Sequence, residues 1–454
     1  MRLAGGNTLV AVSGSALATN RDNIEVFVAS ELVKLTASDP DELGLFGVSV
    51  AIDENTAAVG AMWEDLPGLL HAGSAYIFMR NQGGAGAWGQ VIKLTASDAA
   101  AEDRFGWSVG IDGATVVVGA RYSDPFGLYR AGSAYVFGRD QDGEGAWGEV
   151  AKLTASDAAA GDLFGNSVAV SGDIAVVGSV WDDRPGLYHA GSAYVFMRNE
   201  GGEDEWGQVV KLMDADAEPG DEFGTSVAIC GETVVIGALL DDHPGMQHDG
   251  SAYVFMRNEG GVDAWGQVAK LTASDAEAGD KFGISVAISG DIVVVGVTGY
   301  AGESAYVFER NSGGEDAWGQ VAKLTASDAS SNDDFGYSVA ISEHTIAVGA
   351  RYGGPSGKAD AGSAYIFMRN EGGEGAWGEV AKLTASDAAE EDRFGNSVAV
   401  SGDNVFVGAD GDDHSELTSA GSAYLFGLTD PDGPTIFSDG FESGDWWEWS
   451  SSAP

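Results

Sequence analysis

The sequence contains a single cysteine, Cys230, among its 454 residues. One cysteine excludes an intrachain disulfide, a thiolate zinc site and a Cys-x-x-Cys redox pair. No apolar run approaches the roughly 18 residues that a membrane-spanning helix requires, and no long stretch has the period of an amphipathic helix. We therefore expect short strands, and we expect no insertion into a membrane.

Basic residues are also scarce, with 23 Lys and Arg against 70 Asp and Glu, for a net charge of −47. Such a surface repels nucleic-acid phosphates and anionic lipid headgroups, so cations or neutral ligands are the expected partners. Because 44% of the residues are hydrophobic, the chain can still form a core. The charge alone does not distinguish cation binding from adaptation to a salty habitat.

A repeat of about 59 residues organises the sequence. Each unit contains, in order, FGxSVA, VVVGA, GSAYVF and WGxVxKL, which we name strands A, B, C and D because short β-branched runs alternate with turn signals. Strands A and B are joined by Ser-Gly-Asp, and strands C and D by Asn-x-Gly-Gly, both typical of tight hairpins. The Phe-Gly pair of strand A recurs at Phe46, Phe105, Phe164, Phe223, Phe282, Phe335 and Phe394.

Four-stranded antiparallel units repeated about seven times predict an all-β propeller, because a closed ring leaves no exposed sheet edge between units. The last unit lacks a strand D, which Leu32 to Leu35 can supply by mixing the two chain ends. Seven blades are preferred; eight would follow if a longer natural chain supplied more strands upstream. We assign residues 1–30 to a partial repeat or N-terminal extra, 31–427 to the propeller, and 428–454 to a linker and Trp-rich tail.

The combination FGxSVAxxGD, VVGA and GSAYVF resembles the FG-GAP repeat in its bacterial form, which is related to the propeller head of integrin α subunits. The resemblance covers about residues 31–426. Two features depart from it: the Gly-Ala pairs at Gly60, Gly119 and Gly349 lack the Pro, and the A-to-B hairpins are too short for an Asp-x-Asp-x-Asp-Gly calcium loop. No integrin-type calcium ligands carry over.

Both ends of the chain bear on its location. The segment from Ile436 to Ser450 resembles a short C-terminal motif of exported Gram-negative proteins, which implies an extracellular or cell-surface protein; it could also be a Trp-rich strand packed on the propeller rim. Ala16-Leu17-Ala18 imitates a cleavage site, but Leu9 to Val12 matches a repeat strand better, so a signal sequence is absent or lost with a truncated start.

The long D-to-A and B-to-C connections share one face of the ring, here named the loop face, and the tight hairpins occupy the opposite hairpin face. The B-to-C loops combine aromatic, acidic and imidazole side chains, which suit sugar rings and their hydroxyls. Packing between blades is the alternative role for these aromatics. The candidate ligand-binding residues are Trp63, Asp65, His71, Tyr122, Asp124, Trp181, Asp182, His189, His248 and Tyr352.

Each D-to-A connection from the second onward carries two aspartates, seven and two residues before the Phe. Paired carboxylates could bind a hard cation, and Ca²⁺ is the cation considered, although no cofactor is required. Aspartates that cap turns are the alternative. The candidate metal ligands are Asp98, Asp103, Asp157, Asp162, Asp216, Asp221, Asp275, Asp280, Asp328, Asp333, Asp387 and Asp392.

Catalysis has little support, since no HExxH, GxSxG or P-loop occurs. The densest ionisable cluster is Asp241, Asp242, His243 and His248, in one variable loop. We therefore expect a monomeric, non-catalytic binding or adhesion propeller whose ligand is carbohydrate or protein, with divalent-cation assistance as an option. The alternatives are a structural scaffold within a larger exported protein and a polysaccharide hydrolase or lyase, whose carboxylate pair would be invisible in sequence.

Overall fold

The computed structural model describes residues 28–429, apart from 141, 142, 144, 201, 203, 300, 301 and 356, and the backbone of residues 10–12 and 15–17. Most of the predicted C-terminal linker and tail, from residue 430 onward, and most of the signal-like start lie outside the described residues. Within the described part, one 3-10 turn, Pro125–Gly127, is the only helical element. No helix there has the length and apolarity needed to cross a bilayer.

The chain forms short strands in the predicted order. The strands that precede the first complete blade are β1 (Val10–Val12), β2 (Ser15–Leu17) and β3 (Val28–Leu35). Blade 1 comprises β4 (Phe46–Asp53), β5 (Thr56–Ala61), β6 (Ser74–Arg80) and β7 (Trp88–Leu94). Blade 2 comprises β8 (Phe105–Asp112), β9 (Thr115–Ala120), β10 (Ser133–Arg139) and β11 (Trp147–Leu153). Blade 3 comprises β12 (Phe164–Ser171), β13 (Ile174–Ser179), β14 (Ser192–Arg198) and β15 (Trp206–Leu212).

Blade 4 comprises β16 (Phe223–Cys230), β17 (Thr233–Ala238), β18 (Ser251–Arg257) and β19 (Trp265–Leu271). Blade 5 comprises β20 (Val286–Ser289), β21 (Ile292–Gly299), β22 (Gly302–Arg310) and β23 (Trp318–Leu324). Blade 6 comprises β24 (Phe335–Ser342), β25 (Thr345–Ala350), β26 (Ser363–Arg369) and β27 (Trp377–Leu383). The chain then continues with β28 (Ser397–Ser401), β29 (Asn404–Ala409) and β30 (Ser422–Thr429). Neighbouring strands within every blade are antiparallel, in the order A, B, C, D.

The ring closes by pairing the two ends of the chain. Strand β3 hydrogen-bonds to β30, with Lys34 opposite Tyr424, and so supplies strand D of blade 7. The prediction of seven blades with mixed chain ends is confirmed. The described part of the repeat-like segment Leu9 to Val12, Val10–Val12, pairs with β2, which in turn pairs with β3 on the outer edge of blade 7.

The apolar core lies in the seams between neighbouring blades. Phe164 of β12 is fully buried, together with Val136 of the preceding blade. Its ring lies edge-on to Tyr194 and Phe196, at centroid distances of 5.5 and 5.9 Å. Such edge-to-face pairs add to the free energy gained by burial, and they recur in nearly the same form in every blade.

Glycine permits the close approach of the inner strands. Gly165, directly after Phe164, has φ of 88°, a value that favours glycine. A Cβ on Gly119 of the preceding blade would lie 2.1 Å from the Gly165 carbonyl oxygen. The Phe-Gly and Val-Gly-Ala motifs are therefore two sides of one contact between blades.

Candidate functional site

An aspartate, a tyrosine and a lysine form the same anchor in all seven blades. In blade 3 the Tyr194 hydroxyl donates to Asp157 Oδ1 at 2.9 Å, and the Lys211 ammonium donates to Asp157 Oδ2 at 2.7 Å. Burial raises the pKa of Asp157, but the bonds from Lys211 and Tyr194 outweigh it and hold that pKa below its ordinary value. The aspartates of the other anchors are Asp39, Asp98, Asp216, Asp275, Asp328 and Asp387.

The second aspartate, present in every D-to-A connection but the first, caps a turn. Asp162 is 3% exposed, and its Oδ2 accepts a hydrogen bond from the Ala159 backbone N–H at 2.6 Å. Burial raises the pKa of Asp162 to about 6 against the lowering effect of this bond. Equivalent caps are made by Asp103, Asp221, Asp280, Asp333 and Asp392.

These contacts give both aspartates of a connection a role that needs no metal. Among the described residues no group of three or more His, Cys, Asp or Glu side chains is arranged to hold an ion. The geometry thus favours turn capping and lysine pairing for the twelve candidate ligands. Calcium binding itself stays a prediction.

Asp182, predicted to contact a ligand at the loop surface, is instead buried. It is 3% exposed beneath the loop, where its carboxylate accepts hydrogen bonds from Ser192 at 2.7 Å and Tyr194 at 3.3 Å and pairs with Lys211 at 2.7 Å. Its placement as a ligand contact is therefore corrected. Glu64, Asp241 and Asp412 occupy the equivalent position and pair with the lysine of their own blades.

Two candidate acids that do lie at the loop surface, Asp65 and Asp124, accept hydrogen bonds from the backbone of their own loops. Asp65 Oδ1 accepts from the His71 backbone N–H at 2.7 Å, and Asp124 Oδ1 accepts from that of Arg130 at 2.6 Å. The receiving residues have positive φ, 50° for His71 and 51° for Arg130. One oxygen of each candidate acid is thus committed to holding its loop, and the second oxygen makes no described hydrogen bond.

Three rings in blade 3 form an exposed stack, here named the aromatic platform. His189 lies between Trp181 and Tyr188, with centroid distances of 4.9 and 3.6 Å. Trp181 is 37% exposed and Tyr188 is 65% exposed, while the Trp181 indole donates to Glu222 at 3.2 Å. The sequence predicted Trp181 and His189 as candidate ligand-binding residues, but it did not predict Tyr188.

The other aromatic and histidine candidates lie in other blades and form no comparable three-ring stack among the described residues. Trp63 stacks on His71 at a centroid distance of 5.5 Å in blade 1, in a looser version of the platform. Tyr122 of blade 2 is surrounded by arginines rather than by rings. His248 is exposed and has no described ring partner, and Tyr352 lies against Arg351 in blade 6, away from the platform.

The platform borders a cavity of about 370 Å³ at the mouth of the central channel, here named the axial cavity. Blades 2 to 6 all contribute to its wall. Its lining residues are Trp107, Arg121, Leu163, Asn166, Val180, Trp181, Glu222, Thr225, Leu239, Ile284 and Tyr337. Most of these lining residues were not predicted from the sequence. The variable residue x of FGxS could have indicated them, since it lines the cavity in five blades, as Trp107, Asn166, Thr225, Ile284 and Tyr337.

A serine, a histidine and an aspartate meet in blade 4 but do not form a nucleophilic triad. His243 Nδ1 lies 2.6 Å from Asp249, and its Nε2 lies 3.4 Å from Ser251 Oγ. The Ser251 side chain is fully buried and donates to Asp241, as Ser192 does to Asp182 in blade 3. A serine with no access and a committed proton is not poised to attack a substrate.

The geometry defines a seven-bladed propeller built from one repeated unit, with its variable residues gathered on the loop face. The FG-GAP repeat model matches seven segments, residues 29–78, 88–137, 147–196, 206–255, 265–308, 318–367 and 377–426. The chain therefore belongs to the FG-GAP repeat family. A search of curated proteins finds no significant match.

Among solved structures, the chain is similar to the periplasmic gluconolactonase PpgL of Pseudomonas aeruginosa. The superposition has a TM-score of 0.51 and covers 85% of this chain and 97% of that chain, at 15% sequence identity. At this identity the likeness shows the propeller fold alone.

Proposed function

We propose that this protein is a non-catalytic binding propeller that recognises carbohydrate through the aromatic platform and the axial cavity. The observation that carries this proposal is the solvent-exposed stack of Trp181, His189 and Tyr188. Aromatic faces stack on the apolar C–H faces of sugar rings, and nearby polar groups fix the orientation of the ligand. Trp147, which packs in a seam between blades, is by comparison only 4% exposed.

Exposed apolar side chains extend this surface along blades 1 and 2. Leu70, Phe126 and Tyr129 are 62%, 81% and 61% exposed on the B-to-C loops. Large apolar side chains at loop tips are typical of contact surfaces. Their spread over neighbouring blades suits an extended ligand, such as a polysaccharide chain, better than a single small molecule.

We also propose that the protein acts as a monomer outside the cytoplasm, at the cell surface or in the medium. The resemblance of the C-terminal segment to that of exported proteins supports this location. Closure of the ring supports the monomer, because β3 of the same chain supplies strand D of blade 7 and no second copy is needed to complete that blade.

Affinity electrophoresis through gels containing different polysaccharides tests the binding proposal. At least one polysaccharide should retard the wild-type protein. Trp181→Ala should abolish the retardation, and Trp181→Phe, which keeps an aromatic face, should restore part of it. If no gel retards the protein, or if Trp181→Ala migrates like the wild type, this proposal is wrong and the scaffold alternative gains support.

The same polysaccharides separate binding from catalysis. We expect no new reducing ends and no unsaturated products after prolonged incubation. The appearance of either, lost on substitution of a carboxylate at the axial cavity, would favour the hydrolase or lyase alternative over a pure binder.

A further inference from the structure

Three arginines surround one tyrosine on the loop face of blade 2. The guanidinium carbons of Arg104, Arg121 and Arg130 lie 4.3, 4.8 and 4.2 Å from the centre of the Tyr122 ring. We name these four residues the cationic cluster. Cations this close to one another repel, and the ring offsets only part of that repulsion.

No acid among the described residues lies within ion-pairing distance of an arginine of this cluster. None of its three arginines forms a salt bridge with them, whereas Arg257 on the hairpin face pairs with both Glu232 and Asp263. Arg104 and Arg130 donate no side-chain hydrogen bond to the described part of the chain. In a protein with 70 acidic residues, three adjacent unpaired arginines are unexpected.

The nearby carboxylates make contacts with groups other than the arginine side chains. Glu102 lies 3.1 Å from His71 Nδ1, Asp103 caps the Ala100 backbone N–H, and Asp124 holds the backbone of Arg130. None of these three carboxylates forms an ion pair with the cluster, although all three line one cavity together with Arg130.

One arginine of the cluster also contributes to the proposed sugar-binding surface. Arg121 lines the axial cavity together with Trp181. Its guanidinium stacks on Trp107 at 3.2 Å from the ring centre and donates to Asn166 at 2.9 Å. Burial lowers the pKa of Arg121 to about 10, as expected for a cation without an anionic partner.

We propose that the cationic cluster binds the oxyanion of an acidic sugar, a carboxylate or a sulfate ester, while the aromatic platform holds the ring of a neighbouring sugar. A guanidinium stacked on an aromatic face keeps its edge N–H groups free for two parallel hydrogen bonds to such an oxyanion. This inference rests on the proposed carbohydrate function and names its substrate class. An acidic peptide offers the same oxyanion but no ring for the platform.

Calorimetric titration of the full chain in about 0.2 M NaCl, where repulsion by the net charge is screened, tests this inference. The probes are a galacturonate trisaccharide and its methyl ester, a sulfated galactose trisaccharide and its desulfated form, and tetraglutamate. We expect one acidic sugar to bind about tenfold more tightly than its neutral form. The pair that shows the preference identifies the carboxylate or the sulfate.

Two variants locate the effect. The preference should disappear in Arg104→Gln/Arg130→Gln, while any binding of the neutral sugar is unchanged; Arg257→Gln is the matched control and should behave like the wild type. Equal binding of acidic and neutral sugars, or a preference that survives the double variant, overturns the inference and leaves the carbohydrate proposal standing. Tetraglutamate binding as tightly as the acidic sugar also overturns it. If no sugar binds, both proposals fail.

Discussion

The anchors have the same residues in every blade, whereas the residues at the mouth of the central channel differ from blade to blade. The aspartate, tyrosine and lysine of the anchor occur in every blade with nearly identical distances. At the mouth the equivalent residues differ: the position of Arg121 is Met62 in blade 1, Val180 in blade 3 and Asp410 in blade 7. Since one set of anchors suffices to build seven blades, the variety at the mouth is not needed for folding.

The anchors themselves differ in one informative respect. In blade 3 Lys211 contacts both the half-exposed Asp157 and the buried Asp182, but in blade 2 the buried acid is replaced by Ser123, and Lys152 contacts Asp98 alone. The same lysine therefore neutralises a buried charge in one blade and a surface charge in the next. This difference provides matched controls inside one molecule.

Among the charged contacts of the anchors, the largest effect is expected from breaking the buried pair. Lys211→Met leaves Asp182 buried without a cation and should lower the free energy of unfolding by about 3 kcal/mol. Lys152→Met removes only a contact to a carboxylate that is 52% exposed, and should lower it by no more than about 1 kcal/mol. Denaturant unfolding of both variants measures the difference, and equal losses would show that the buried acid is not the cause.

A second contrast concerns the two aspartates of one connection. Burial raises the pKa of Asp103 to about 6, so the folded state holds its proton more tightly than the unfolded chain. The free energy of unfolding should therefore fall as pH rises from about 4 to about 6, by at most roughly 3 kcal/mol for this carboxyl. Asp103→Asn, which keeps an acceptor for the turn, should flatten part of this fall.

Asp98 should behave in the opposite way. Burial raises its pKa, but Lys152 and Tyr135 lower it further, so its stabilisation is present above pH about 4 and lost on acidification below that value. Asp98→Asn should therefore reduce stability at neutral pH and leave the fall between pH 4 and 6 intact. Melting curves across pH 3 to 7 compare the variants, and identical profiles for both would contradict this assignment.

The smallest effect is expected from calcium. If the aspartates serve as caps and lysine partners, millimolar Ca²⁺ in place of EDTA should shift the melting temperature no more than a monovalent salt at matched ionic strength. A ligand bound only by the folded state would raise it by mass action. A shift beyond the salt control that disappears in Asp98→Asn would instead establish a metal site.

The fold could be predicted because its determinants are local and repeated. The Phe-Gly spacing set the blade count, and the missing strand D after Phe426 pointed to closure by Leu32 to Leu35, which the pairing of β3 with β30 confirms. The position of the β1–β2 hairpin on blade 7 could not be foreseen, because it depends on a sheet edge that exists only after the ring has closed.

The candidate site was predicted only in part, for two physical reasons. The burial of Asp182 depends on Lys211, which is distant in sequence, so a loop acid and a buried acid look alike until strand D is placed. The cationic cluster was missed because a net charge of −47 describes the whole surface and conceals a local exception. The expectation that anions are disfavoured was an average over the molecule, and the arginines around Tyr122 depart from it.

Thermal and denaturant unfolding of Trp181→Ala and Phe164→Ala, both in blade 3, test the division between framework and mouth most directly. Phe164→Ala empties a fully buried seam and should cost about 3–5 kcal/mol. Trp181→Ala removes a ring that is 37% exposed and should cost less than about 1 kcal/mol. Comparable losses for the two variants would contradict the account, because they would make the aromatic platform part of the framework.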